Sequence, residues 1–190
     1  MTFPDLSDYR VLIVPGLHGS GPEHWQTRWE QRYPAFERVI QEDWSQPDLG
    51  TWSRRVVQAV QASRRRTLIV AHSFGCLASM HASRSTDMRH VAAALLVAPA
   101  DPEKFGVASL VRGVRLRCPS VMIASTDDPW MAAERAAYWA REWGSGFVNA
   151  GTLGHINADS GLGEWSQGLA HLALLAEIDA DTVGKRVLSA

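Results

Sequence analysis

The stretch LIVAHSFGCLAS places a serine where an apolar strand must turn abruptly into a helix. Its centre, AHSFG, is close to the G-x-S-x-G nucleophile elbow, with Ala71 at the first glycine position and Gly75 at the second. Such a turn needs small flanking residues because the neighbouring strand and helix approach it closely. It would also put the Ser73 hydroxyl at the positive end of the following helix, which favours the negative charge that develops during nucleophilic attack. Ser73 is therefore the candidate nucleophile.

A serine hydroxyl is a weak nucleophile until a base takes its proton, and two later strand ends offer suitable partners. His155 follows the last predicted strand and is the candidate base. Asp128 follows an earlier strand and is the candidate carboxylate that orients the imidazole and stabilises its charged form. The adjacent Asp127 is the alternative. We favour Asp128 because Pro129 sets the direction of the chain directly after it.

Two backbone amides are candidates for an oxyanion hole, which needs donors fixed in place before the reaction. One is the N–H of Phe74, directly after the nucleophile. The other is the N–H of Leu17, in the loop after the first strand. Gly16 and Gly19 flank Leu17 and would let this loop approach the serine closely.

Three further residues are candidates for the substrate pocket: His18, His72 and Trp130. A structural role for His72 fits its position equally well, and Trp25 is a weaker candidate for the pocket wall. His18 and His24 are six residues apart, without a carboxylate at the spacing of a zinc site. We therefore expect neither a metal nor a cofactor.

The elements that must position these residues alternate between strands and helices. Each candidate side chain follows a short apolar run that is typical of a strand buried on both faces. Strands are predicted at residues 10–16, 36–41 and 67–71, within 91–100 with an end near Pro99, and at 120–125 and 146–151. Helices are predicted at 22–33, 51–62, after Ser73, 131–143 and 163–178. This alternation predicts an α/β fold with a parallel sheet covered on both faces. Ligands bind beyond the carboxyl ends of the strands in such sheets, where all the candidates lie.

Composition limits the function classes. The 190 residues predict a single domain over residues 1–190, and the formal net charge of −1 gives no field that would attract nucleic acid or an anionic membrane. Cys76 and Cys118 do not form a disulfide framework, so we expect reduced thiols and a cytoplasmic protein. The first ten residues lack the features of a signal peptide, and no apolar stretch is long enough to span a bilayer.

Five segments together resemble a known family: VPGLHGSGPEHWQTRWE, QEDWSQPDLGTW, LIVAHSFGCLAS, STDDPW and LGHINADSGLGEWSQG. The chain resembles the small α/β-hydrolase serine hydrolases that include retinoblastoma-binding protein 9 and the bacterial YdeN-type proteins, and it matches the bacterial branch better. The resemblance implies a compact α/β-hydrolase fold with about six mostly parallel strands and no cap domain. It also implies Ser73, Asp128 and His155 as the triad. Ala71 departs from the glycine that many hydrolases have there.

Each of the three sequence features, the serine turn, the aspartate before proline and the histidine after glycine, also occurs in ordinary turns. The pattern A-x-S-x-G alone is weak. Their joint placement after parallel strands favours a serine hydrolase, most simply a carboxylesterase that cleaves small acyl esters through an acyl-enzyme. The short connections leave little chain for a lid, so we expect an open, shallow pocket. A protein-binding module with an idle triad and an exposed apolar patch, for example one built from tryptophans, is one alternative. A thioesterase or amidase with the same triad is another.

Overall fold

The computed structural model describes residues 6–188 of the chain. Residues 1–5 lie outside the described part. The expectation that the first ten residues are not a signal peptide therefore falls partly on residues that are not described. The strands are β1 (Arg10–Val14), β2 (Phe36–Arg38), β3 (Thr67–His72), β4 (Val91–Val97), β5 (Ser120–Ala124) and β6 (Gly146–Asn149). The helices are α1 (Trp25–Arg32), α2 (Leu49–Gln61), α3 (Phe74–Ala82), α4 (Ala108–Val111), α5 (Ala133–Trp143) and α6 (Ser166–Leu188).

The six strands form one sheet in the order β2-β1-β3-β4-β5-β6, and every neighbouring pair is parallel. This confirms the predicted α/β-hydrolase class of fold. The strand order reverses between β1 and β3, since β2 lies on the outer side of β1. Ligands of doubly wound sheets bind at such a switch point. The loop after β1 and the turn after β3 therefore meet at the edge where a site is expected.

Two apolar cores cover the faces of the sheet, because alternate strand residues point to opposite sides. Leu12 and Val14 belong to one core, with Trp52 of α2 and Trp139 of α5. The other core contains Val11 and Ile13 of β1 and side chains from α1 and α6, among them Trp29. The central strands β1, β3 and β4 are buried along almost their whole length, which explains their unbroken apolar sequences.

The helices differ from the predicted ones at several ends, most clearly in α1 and α6. Helix α1 begins at Trp25, because the His24 side chain caps it by accepting a hydrogen bond from the Gln26 amide at 3.2 Å. Pro22, predicted at the first helical position, lies in the preceding turn. Helix α6 begins at Ser166 and continues well beyond Ile178. The short α4 was not predicted.

No helix in the described residues is long and apolar enough to cross a membrane. Cys76 is buried and Cys118 half-buried, and both are free thiols.

Gly75 is required by the approach of β1 to the start of α3. A Cβ at this position would lie 2.2 Å from the carbonyl oxygen of Val14 and 2.5 Å from that of Pro15. Two backbone carbonyls cannot move away without disrupting the sheet, so we expect Gly75→Ala to lower the free energy of unfolding by at least about 3 kcal/mol. Urea denaturation measures this. Gly21→Ala is the matched control, because nothing lies within 4 Å of a Cβ there, and it should change stability little.

Candidate active site

Ser73 occupies a strained turn between β3 and α3. Its φ of 53° and ψ of −124° lie in a region that non-glycine residues rarely adopt. The Ser73 amide donates to the carbonyl of Val97 in β4 at 3.0 Å, which ties the turn to the sheet. The conformation is that of a nucleophile elbow, in which the side chain stands above the carboxyl edge of the sheet.

The three side chains selected from the sequence lie in one hydrogen-bonded line. His155 Nε2 is 3.0 Å from Ser73 Oγ, and His155 Nδ1 is 2.9 Å from Asp128 Oδ2. A carboxylate only accepts hydrogen bonds, so the imidazole proton lies on Nδ1 and Nε2 is free to accept from the serine hydroxyl. The Asp128 side chain is only 2% exposed, and Oδ1 also accepts from the Trp130 amide at 2.9 Å. This geometry can activate the hydroxyl and orient its base.

Asp127 has a different position from its neighbour. Its Oδ1 accepts from the Ser125 hydroxyl at 2.7 Å and from the Gly154 amide at 2.8 Å. These hydrogen bonds, that of Ser125 first, lower the pKa of the Asp127 carboxyl. Asp127 therefore holds the backbone just before His155, whereas Asp128 contacts the imidazole itself.

The His72 side chain forms a hydrogen bond with the backbone of His155. Its Nε2 lies 2.9 Å from the His155 carbonyl oxygen, so this nitrogen must carry a proton and donate. Its ring lies edge-on between those of His24 and His155, with centroids 4.7 Å and 4.9 Å away. Burial lowers the pKa of His72 well below its ordinary value. A neutral imidazole therefore stays beside His155 when His155 takes up a proton.

The two candidate oxyanion donors belong to the segments that flank the serine, the loop after β1 and the start of α3. Phe74 is the first residue of α3, and Leu17 is the first residue of a 3₁₀ turn over Leu17–Gly19, so neither N–H has an acceptor within its own helix. Gly16 lets the two segments meet, because a Cβ there would lie 2.6 Å from Ser73 Cβ. His18 has a φ of 65°, which turns the loop back after Leu17.

A polar network behind this loop was not predicted from the sequence. Thr27 Oγ1 donates to the Ser20 carbonyl at 2.6 Å, and the Ser20 hydroxyl donates to Gln26 Oε1 at 2.7 Å. Gln26 in turn donates to the carbonyl of Val70 in β3 at 3.1 Å. The Arg38 guanidinium bonds to the carbonyl of Gly19. The loop is thus held to α1 and to two strands, which fixes its amides before any substrate binds.

A cavity of about 440 Å³ opens beside Ser73 and His155, within the range of roughly 300–1,000 Å³ that is common for small-molecule sites. It is larger than the shallow pocket expected from the short loops, because the segment after β4 adds a wall. The predicted pocket residues His18, His72 and Trp130 all line it, as does Leu17. Further lining residues that were not predicted include Ser20, His24, Ala100, Asp101, Lys104, Phe105 and Asn157.

The weaker pocket candidate, Trp25, does not line this cavity. Its side chain is 1% exposed, and its indole N–H donates to the Ile156 carbonyl at 2.8 Å. It packs against Trp29 and Trp165 in the core between α1 and α6. Trp25 therefore supports the loop that carries His155 from inside the protein.

Within residues 6–188, no cluster of three or more histidine, cysteine, aspartate or glutamate side chains is arranged to hold a metal ion.

His24 should make the protein less stable in mild acid. Burial, aided by the charge of Arg38, lowers its pKa from 6.5 to about 3. Between these values the unfolded chain binds a proton that the folded protein does not, so this contribution to stability is complete above pH 6.5 and is lost as the pH falls towards 3. We expect His24→Asn, which keeps a capping side chain, to reduce the pH dependence of unfolding by about 1.4 kcal/mol per pH unit between pH 6 and 5.

Urea denaturation of both proteins at several pH values measures this slope. At pH 8 both side chains are neutral, so the difference in stability there gives the cost of the substitution apart from titration. Equal slopes for the two proteins between pH 6 and 5 would contradict the prediction.

Comparison with known proteins gives a consistent result. The model of the serine hydrolase family matches residues 11–174. A YdeN-like hydrolase from Pectobacterium atrosepticum is 38% identical with a TM-score of 0.86, and the match covers 91% of this chain and 93% of that one. None of the curated protein sequences matches the chain.

Two more distant structures share the fold. The YdeN gene product of B. subtilis is 19% identical with a TM-score of 0.70, over 87% of this chain and 97% of that one. The esterase domain of a Rhodothermus marinus protein is 16% identical with a TM-score of 0.57, over 89% and 88%.

Proposed function

Because the chain belongs to the serine hydrolase family and is a hydrolase, we propose that it is a carboxylesterase that cleaves small acyl esters with Ser73, His155 and Asp128. The observation that carries this proposal is the unbroken line of hydrogen bonds from Asp128 through His155 to Ser73, at the edge of a cavity. Each group has the hydrogen-bond neighbour that its role requires.

In the first half-reaction, Ser73 Oγ attacks the ester carbonyl carbon while His155 Nε2 takes the hydroxyl proton. The carbonyl oxygen becomes an oxyanion that accepts from the amides of Leu17 and Phe74. Asp128 stabilises the imidazolium through Nδ1–H. When the tetrahedral intermediate collapses, the C–O bond to the alcohol breaks, and His155 returns the proton to the leaving oxygen. The products are a free alcohol and an acyl group on Ser73.

In the second half-reaction, a water molecule takes the place of the alcohol. His155 removes its proton as the oxygen attacks the acyl carbon, and the same amides hold the oxyanion. Collapse breaks the bond to Ser73 Oγ, which regains its proton from His155. A carboxylic acid leaves, and the enzyme returns to its starting state.

The cavity supports ester substrates of modest size. Its volume suits a short acyl chain with a small alcohol, and apolar side chains such as Leu17, Phe105 and Trp130 line much of it. A thioester or amide would pass through the same steps, so the preferred leaving group has to be measured.

A protein-binding module with an idle triad would carry an exposed apolar patch, for which tryptophans are the first candidates. All eight tryptophans lie in the described part of the chain. Trp130 is exposed, and the other seven are buried or half-buried within or against the two cores. Trp130 itself lines the cavity, which favours a substrate over a protein as its partner.

The proposal is tested with purified protein on chromogenic acetate and butyrate esters, with matched thioesters and anilides in parallel. We expect faster turnover of the esters than of the anilides, and labelling of the protein at Ser73 by a fluorophosphonate probe. Absence of both turnover and labelling would refute the proposed function. Turnover of thioesters far above that of esters would keep the mechanism and replace the substrate class.

A further inference from the structure

One charged side chain that lines the cavity has no role in the reaction proposed above. Lys104 lies in the loop of residues 98–107 after β4, and only it and Lys185 are lysines among the 19 basic residues of the chain. Its ammonium group donates to the carbonyl of Trp130 at 2.6 Å, in the loop of residues 125–132 after β5. This bond joins two walls of the cavity and holds the charge at its mouth.

The walls that Lys104 joins are next to the reacting groups. The adjacent Phe105 packs against the ring of Phe74, with centroids 5.0 Å apart, and Phe74 follows the serine. On the other wall, the Trp130 ring lies 6.4 Å from the ring of His155. A ligand that reaches Ser73 therefore lies in the cavity at whose mouth the exposed Lys104 side chain stands.

Nearby carboxylates do not neutralise this charge. Asp101 also lines the cavity, but its Oδ2 accepts from Arg135 Nε at 2.7 Å and its Oδ1 from the Glu103 amide at 3.0 Å. The Glu103 carboxylate lies 3.1 Å from the Arg112 guanidinium and 3.5 Å from that of Arg135. Within residues 6–188, no carboxylate oxygen lies within 4.0 Å of the Lys104 ammonium.

The other titratable groups at the cavity leave this positive charge in place. Burial lowers the pKa of His24 to about 3 and that of His72 well below its usual value, so both are neutral near pH 7. The Asp128 carboxylate lies behind His155, with its side chain 2% exposed. A cleft with one uncompensated charge and apolar walls concentrates ligands of the opposite charge.

We propose that Lys104 forms an anion-binding subsite at the mouth of the cavity, and that the preferred substrates are esters with a carboxylate remote from the scissile bond. This inference rests on the proposed esterase function and names its substrate class. The ammonium group has N–H donors beyond the one directed at Trp130, and these would bind the carboxylate. The subsite would bind a carboxylate on either the acyl part or the alcohol part of the ester.

Two matched pairs of esters distinguish these cases. On the acyl side, the para-nitrophenyl monoester of adipic acid is compared with that of its monoamide, which has nearly the same shape and no charge. On the alcohol side, the butyrate ester of para-hydroxybenzoate is compared with that of para-hydroxybenzamide. The measured quantity is the ratio of kcat/KM for the anionic ester to kcat/KM for its neutral partner, corrected for spontaneous hydrolysis.

We expect a ratio of roughly three to ten in at least one pair. The ratio is modest because water partly screens the attraction between the Lys104 ammonium and the carboxylate of the ester. Lys104→Met should bring this ratio close to one, because it keeps an apolar stem and removes the charge. Lys104→Arg should retain much of it. Arg54→Gln is the matched control: it removes one positive charge from an exposed position on α2, outside the cavity, and should leave the ratio unchanged. Added salt should lower the ratio of the unmodified protein.

The absence of the anion subsite and the absence of esterase activity would give different results in these assays. If neutral esters are hydrolysed but the ratios are the same in the unmodified protein and Lys104→Met, the subsite is refuted and the esterase remains. The same pairs are also titrated by calorimetry into the Ser73→Ala protein, with and without Lys104→Met. Tighter binding of the anionic ester that depends on Lys104 supports the subsite even without turnover, and equal binding of both esters overturns it.

Discussion

Ser73→Ala is expected to reduce kcat for a para-nitrophenyl ester by roughly four to six orders of magnitude, while the protein remains folded. The reduction is this large because no other group in the line of hydrogen bonds can form the acyl-enzyme. Without Oγ, the oxyanion donors and the cavity can only assist direct attack by water. The alanine side chain adds no atom to the crowded turn and leaves the bond from the residue 73 amide to the Val97 carbonyl in place.

The measurement combines steady-state turnover with labelling by a fluorophosphonate, and circular dichroism checks the fold. The labelling should disappear in Ser73→Ala. Ser109→Ala is a suitable control, because Ser109 is exposed in α4 and does not line the cavity. A Ser73→Ala protein that kept more than about one hundredth of the activity would show that another residue is the nucleophile.

Asp128→Asn is expected to lower kcat by about four orders of magnitude. The amide that replaces the carboxylate presents an N–H group or a neutral oxygen to His155 Nδ1. The first outcome moves the imidazole proton to Nε2, where it blocks acceptance of the Ser73 proton. The second removes the negative charge that stabilises the imidazolium. The Trp130 amide donates to Oδ1 at 2.9 Å and favours an oxygen at that position. The new NH₂ group then takes the Oδ2 position, 2.9 Å from His155 Nδ1, while the oxygen lies 3.1 Å from it.

Asp127→Asn provides the comparison, since this carboxylate does not contact the imidazole. It removes charge-assisted bonds to the Ser125 hydroxyl and the Gly154 amide, so we expect a loss of stability and a much smaller change in kcat, about tenfold. Both variants are assayed on one ester across pH 6–9, and their stability is measured by urea denaturation. A larger loss of kcat in Asp127→Asn than in Asp128→Asn would reverse the roles assigned to the two residues.

Much of the fold and the family could be read from the sequence. The apolar runs that end in Pro15, Ser73 and Thr126 are long enough for strands and lack the polar alternation of an exposed sheet face, which predicts parallel strands covered on both sides. The structure confirms this arrangement. The candidate site followed from the same pattern, because parallel strands bring all their carboxyl ends to one edge of the sheet. Side chains distant in sequence, such as Ser73, Asp128 and His155, were therefore expected to be neighbours.

The distinct positions of the two aspartates lie beyond what a strand pattern can specify. Adjacent residues after a strand point in different directions, and which one meets the imidazole depends on the path of the loop from β6. Proline and the family resemblance favoured Asp128, but the contact of Asp127 with the Gly154 amide involves a segment 27 residues away. No local sequence signal marks such a pairing.

The sequence by itself determined the class of fold, the edge of the sheet that carries polar side chains and the chemical types available there. These follow from local physics: apolar periodicity, the small residues of a tight turn and the order of strand ends. Only the tertiary structure decided how the Leu17 loop is held by Thr27 and Arg38, that His72 donates to the His155 carbonyl, and that Lys104 closes one side of the cavity on Trp130. Each of these contacts joins residues from separate elements, and its existence depends on distances that arise only when the helices pack on the sheet.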